Sequence, residues 1–136
     1  MPVRFGAAAL TLAGLFTISC SGIVDPSKNV TETFTGTVKV QGSDGKPFST
    51  GQTGEYSIKV TALDPPSGTF FGVIYAPSAA AGTCTGNLGI YASNSFAQVN
   101  ITALSGSIYP GNYCVYIYDN GSFTKDENYT VQVSHP

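Results

Sequence analysis

The stretch from Gly111 to Asp119, reading Gly-Asn-Tyr-Cys-Val-Tyr-Ile-Tyr-Asp, constrains the fold more than any other part of the chain. Side chains of an extended strand alternate between two faces. Tyr113, Val115 and Ile117 therefore share one face, and Cys114, Tyr116 and Tyr118 share the other. Gly111 and Asn112 precede the run, and Asp119, Asn120 and Gly121 close it with turn chemistry. One face suits a core, while the other carries a cysteine and two aromatic rings.

The same period of two recurs along the chain. Phe34, Gly36, Val38 and Val40 alternate with threonines and Lys39, and a turn at Gly42–Gly45 leads to a short strand around Phe48. A hairpin is expected there, with Pro47 favouring an edge position because it cannot donate to a ladder. Tyr56, Ile58, Val60 and Ala62 form the next inward row, ended by Pro65 and Pro66. Phe70–Tyr75 reads as a strand buried on both faces, Pro77–Thr83 as a mobile loop, and Leu88–Ala92 as a short strand. A single strand is expected over Phe96–Leu104, a turn over Gly106–Pro110, a loop over Asn120–Asn128, and a last strand carrying Tyr129, Val131 and Val133. About eight short strands with no helical period predict an all-β domain, a single antiparallel sandwich or a small barrel.

The amino terminus obeys a different logic. Arg4 precedes an apolar run, Phe5–Ile18, which ends in Thr17-Ile18-Ser19-Cys20. The run has the length of a signal peptide and is short for a spanning helix. It resembles the lipobox of bacterial lipoproteins, with Thr17 where that family prefers Leu. The resemblance implies cleavage before Cys20 and a lipid on its sulfur. An ordinary secretory signal is the alternative, and either reading exports the chain. The expected division is residues 1–19 as signal, 20–30 as lipidated cysteine and flexible tether, and 31–136 as the sandwich. In an oxidising compartment the two remaining cysteines, Cys84 and Cys114, are expected to form a disulfide.

Only 10% of the residues are charged, against a usual level of about 25%, and the formal charge is −2. No basic patch suggests nucleic acid. Nucleophile chemistry needs an activating base, and the only histidine, His135, lies next to the end of the sequence, where fraying is expected. No enzymatic activity and no cofactor are expected. Asp119, Asp126 and Glu127 read as solvated loop charges, with a weak oxygen-ligand calcium site as the alternative.

The Asp-containing turn at Gly42–Gly45, the strand with Phe48 and the run Tyr56-Ser57-Ile58-Lys59-Val60 resemble the start of bacterial pre-peptidase C-terminal domains. Gly111–Asp119 and Tyr129–Pro136 resemble that family's last two strands. The resemblance implies a jelly-roll-like sandwich that accompanies secreted proteases or stands alone in exported proteins. The resulting expectation is a lipid-anchored, non-enzymatic module of the cell envelope, on the outer membrane by the Ser21 that follows Cys20. Its partners would be the membrane and a glycan or envelope protein. One alternative is a carbohydrate-binding module whose platform is Tyr116 and Tyr118 with Asn112 and Asn120; another is an accessory domain for a secreted hydrolase. Tyrosines also suit strand surfaces without any ligand.

Overall fold

A computed structural model describes residues 25–65, 70–86 and 88–136. The signal segment and the proposed lipidation residue Cys20 lie outside them.

Eight strands follow in order: β1 (Val30–Val38), β2 (Ser43–Thr50), β3 (Gly54–Asp64), β4 (Phe71–Pro77), β5 (Ala92–Ala97), β6 (Thr102–Ile108), β7 (Gly111–Tyr118) and β8 (Glu127–His135). They form two four-stranded sheets, ordered β1-β8-β3-β6 and β2-β7-β4-β5, with antiparallel pairing throughout. This is an eight-stranded jelly-roll sandwich. The strand expected from Gly111–Asp119 lies inside the second sheet, between β2 and β4. Its faces divide as the alternation predicts: Tyr113, Val115 and Ile117 are buried between the sheets.

The inner rows of the two sheets meet in one core. Val38, Tyr56, Ile58, Val60, Tyr129, Val131 and Val133 come from the first sheet, and Phe48, Phe71, Val73, Tyr75 and the β7 row from the second. Burying a side chain of this size is worth about 1.5–3 kcal/mol.

Several boundaries differ from the sequence reading, each for a local reason. The expected β1–β2 hairpin does not form: β1 pairs with β8, β2 pairs with β7, and the chain crosses between sheets at residues 39–42. Gln41 takes a left-handed conformation in this crossing, Gly42 N–H donates to Lys39 O, and Val40 is exposed instead of inward. Pro47 sits on an edge strand as expected. In β3 a bulge between Val60 and Ala62 shifts the register, so Leu63 is buried and Ala62 exposed. The strand expected over Phe96–Leu104 is broken by a turn in which Asn100 adopts φ 63°, a conformation that asparagine tolerates better than most residues. Ser93–Ser95 consequently belongs to β5, and β6 runs on to Ile108 through the expected turn.

Three segments expected to be loose are tied down. Asp25 caps a short 3-10 turn over Pro26–Lys28, and Asn29 Nδ2 donates to Glu55 O at 2.8 Å. In the connection between β4 and β5, Ser78 Oγ donates to Thr83 O, and Ser78 N–H donates to Asn112 O at 2.9 Å. His135, far from frayed, is the buried end of β8: its ring lies 5.4 Å from that of Phe48, and its Nε2 lies 2.7 Å from Glu32 Oε1.

Candidate functional site: a tyrosine cleft at one end of the sandwich

Cys84 and Cys114 are joined by a disulfide. Cys114 lies on the outer face of β7 yet is fully buried, because the bridge holds the β4–β5 connection over it.

That outer face also carries the pair expected to form a platform. Gly45 lies opposite Tyr116 and Gly72 opposite Tyr118 in the ladders. A Cβ at Gly72 would fall 1.9–2.3 Å from the Tyr118 ring, and one at Gly45 would fall 2.6 Å from Tyr116. Each ring thus lies against its cross-strand glycine and is half-buried, the packing by which aromatics rescue glycine in sheets. Tyr118 Oη also lies 2.8 Å from Ser95 Oγ. The amides are similarly engaged, Asn112 Oδ1 accepting from Ser49 Oγ at 2.9 Å and Asn120 Nδ2 donating to Ser95 O at 2.7 Å. The two rings therefore serve the sheet instead of standing clear of it. Gly72→Ala should displace the Tyr118 ring and cost about 1–3 kcal/mol, read as a lowered midpoint in urea denaturation.

Asp119 Oδ1 accepts from the N–H groups of Gly121, Ser122 and Phe123 at 2.8–3.0 Å, and Oδ2 accepts from Gln41 N–H at 2.8 Å. Burial pushes this carboxyl up, but the backbone donors outweigh it and hold it below the usual range. Asp126 Oδ1 accepts from Val40 N–H, and Glu127 is fully buried in the core-facing row of β8. No group of three metal-ligating side chains occurs among the described residues.

A tyrosine-lined cleft lies elsewhere. At one end of the sandwich the start of β5 and the end of β6 frame a cleft of about 660 Å³. Five of the eight tyrosines line it: Tyr56 from β3, Tyr75 from β4, Tyr113 from β7, and Tyr91 and Tyr109 from the flanking connections. Tyr75 is the hub, with ring centroids 4.5 Å from Tyr56, 5.2 Å from Tyr113 and 5.7 Å from Tyr91. The planes are tilted by 35–58°, so the rings form a bowl. Tyr56, Tyr75 and Tyr113 are buried in its floor, whereas Tyr91 and Tyr109 are 63% and 65% exposed at its rim. Tyr113 Oη donates to Tyr109 O at 2.7 Å, and Tyr91 N–H donates to Tyr75 O at 2.9 Å, fixing rim to floor.

Ser105, Ser107, Gly106, Ile108, Pro110 and Ala92 complete the lining, which contains no carboxylate, ammonium, guanidinium or imidazole. Burial raises the phenols of Tyr56 and Tyr75, with the neighbouring Tyr113 adding to the second, so both stay neutral donors. The volume lies within the usual range of about 300–1,000 Å³ for ligand sites, which are concave and mostly apolar with a few polar groups.

Alternation along the strands marks Tyr56, Tyr75 and Tyr113 as core residues and gives Tyr91 and Tyr109 no role. Only the strand order brings them together.

No family model matches the chain, and no curated protein matches it. Among solved structures, the fold is similar to that of the Yersinia pseudotuberculosis-derived mitogen. The TM-score is 0.56 at 16% identity, covering 79% of this chain and 87% of that one. At that identity the likeness is one of fold.

Proposed function

We propose that this chain is an exported, lipid-anchored, non-enzymatic binding module of a bacterial envelope, and that its tyrosine cleft takes a neutral saccharide. The observation that carries the reading is the bowl of five tyrosines without an ionic group. A tyrosine offers an apolar ring face and a polar tip. A sugar ring is matched to that surface, since its C–H faces pack on aromatic rings while its hydroxyls reach phenols, serine hydroxyls and backbone carbonyls. A charged ligand would lose its hydration in this cleft without gaining a counter-charge. The lipobox-like Thr17–Cys20 segment and the disulfide support export.

The test is co-sedimentation of the full chain, in detergent micelles, with insoluble neutral polysaccharides, and with peptidoglycan as a charged comparison. The wild type should pellet with at least one neutral polysaccharide, and a Tyr91→Ala, Tyr109→Ala double variant should lose at least 10-fold in affinity. Truncating two contact aromatics at about 1 kcal/mol or more each accounts for that loss. Equal binding by both proteins would remove the cleft from the account.

A further inference from the structure

We infer that the rim of the cleft is also a membrane-contact surface, with Tyr91 and Tyr109 seated in the interface of the bilayer that holds the anchor. The inference rests on the lipid-anchoring part of the reading above and shares its two rim residues with the saccharide reading.

The first observation is where the chain leaves the domain. The 3-10 turn Pro26–Lys28 lies at one end of the first sheet: Asn29 Nδ2 donates to Glu55 O, and a shallow groove brings Pro26 and Asn29 beside Tyr56, Ser57 and Ser105. Tyr56 and Ser105 also line the tyrosine cleft. The ladders agree, because Val30 pairs with His135, Ser134 with Ser57, and Tyr56 with Gly106 at this same end. The anchoring chain and the cleft thus share one end of the sandwich.

The second observation is the length of the connection. Cys20 precedes Asp25 by five residues, and a fully extended chain spans at most about 3.3–3.6 Å per residue. The Cα of Asp25 is then held within about 18 Å of the Cα of Cys20. A domain tethered this closely presents its anchored end to the bilayer.

The third observation is the chemistry of that end. Tyr91 and Tyr109 are among the most exposed large hydrophobic side chains of the described residues. Tyrosine is enriched where membranes meet water, its ring packing at headgroup level while its hydroxyl stays hydrated. No charged side chain lines the cleft between them, so docking this rim strips water from no ion there. A saccharide reaching the cleft would then be one displayed at the membrane surface.

The chain contains no tryptophan, so one introduced tryptophan reports on one position. The experiment uses three full-length variants, Tyr91→Trp, Tyr109→Trp and Val40→Trp, purified after lipid modification and reconstituted in phosphatidylethanolamine–phosphatidylglycerol vesicles, with and without brominated acyl chains. Val40 lies beyond the far end of β1, roughly 25–30 Å from Val30. Tryptophan at 91 and 109 should shift its emission to the blue on reconstitution and lose at least half its intensity to the brominated lipid, while Val40→Trp changes little. Quenching that is equal at all three positions, or absent at 91 and 109 in protein that floats with the vesicles, would overturn the inference and leave the anchor standing. Protein that fails to float, with an unacylated amino terminus by mass spectrometry, would overturn both.

Discussion

Above pH 10 the domain should unfold steeply. Three buried phenols, Tyr56, Tyr75 and Tyr129, have pKa values raised from their ordinary 10.0. Burial is the chief cause in each case. The Tyr113 phenol adds to it at Tyr75, and at Tyr129 a hydrogen bond donated to Asp44 Oδ2 at 3.0 Å does the same. The folded state therefore keeps these protons at pH values where the unfolded chain has released them. Stability from such groups is fully present below pH 10 and is lost as the pH rises from there toward the folded values. Each retained proton makes the slope steeper by about 1.4 kcal/mol per pH unit. Tyr75, Tyr129 and Tyr56 all act in this one direction, so the loss of stability should set in above pH 10 and deepen as the pH rises. Urea denaturation measured across this range should show the slope, and Tyr129→Phe should make it shallower by about one proton. Smooth ionisation of all eight tyrosines near pH 10 with the fold intact would contradict the burial described for them.

Removing the disulfide should have the next largest effect. The Cys84–Cys114 bridge closes a loop with a sequence separation of 30. The chain-entropy argument gives about 3–4 kcal/mol for a loop of that length. A Cys84→Ala, Cys114→Ala variant should therefore melt about 10–15 °C below the wild type, since 1 kcal/mol moves the midpoint of a domain this size by about 4 °C. Hydrogen exchange should rise most over residues 78–86, the segment the bridge holds against β7. A fall of only a few degrees would mean that the Ser78 hydrogen bonds hold the connection without the bridge.

These two results concern features of different legibility. The inward rows were readable because period-two alternation is a local property: Tyr113, Val115 and Ile117 could face only one way once the strand formed. Cysteine parity likewise pointed to the bridge. What could not be read was anything that depends on partners. Sequential strands β1 and β2 look like a hairpin, yet they lie in different sheets, and nothing local distinguishes the two outcomes. The left-handed residues Gln41 and Asn100 are weak signals, because most glutamines and asparagines do not mark a turn. The bulge in β3 moved one inward position from Ala62 to Leu63, a register choice set by packing rather than by alternation.

The site failed to show for the same reason. Tyr116 and Tyr118 drew notice by their spacing, but their glycine partners sit on β2 and β4 and become neighbours only in the folded sheet. The cleft tyrosines are spread from residue 56 to 113, and pairing alone gathers them at one end. His135 illustrates the converse error: a position near the end of a sequence looks frayed until its strand is seen paired with both β1 and β3.

The saccharide reading can be checked by titrating the full chain with soluble oligosaccharides released from neutral polysaccharides, followed by intrinsic fluorescence. With no tryptophan present, all of that emission comes from tyrosine, and five of the eight tyrosines line the cleft. A saturable change is expected with at least one neutral oligosaccharide, weakened at least 10-fold by Tyr91→Ala with Tyr109→Ala and retained by Tyr116→Ala with Tyr118→Ala. A saturable change that survives the first pair and disappears with the second would place the site on the outer face of β7 and contradict the account.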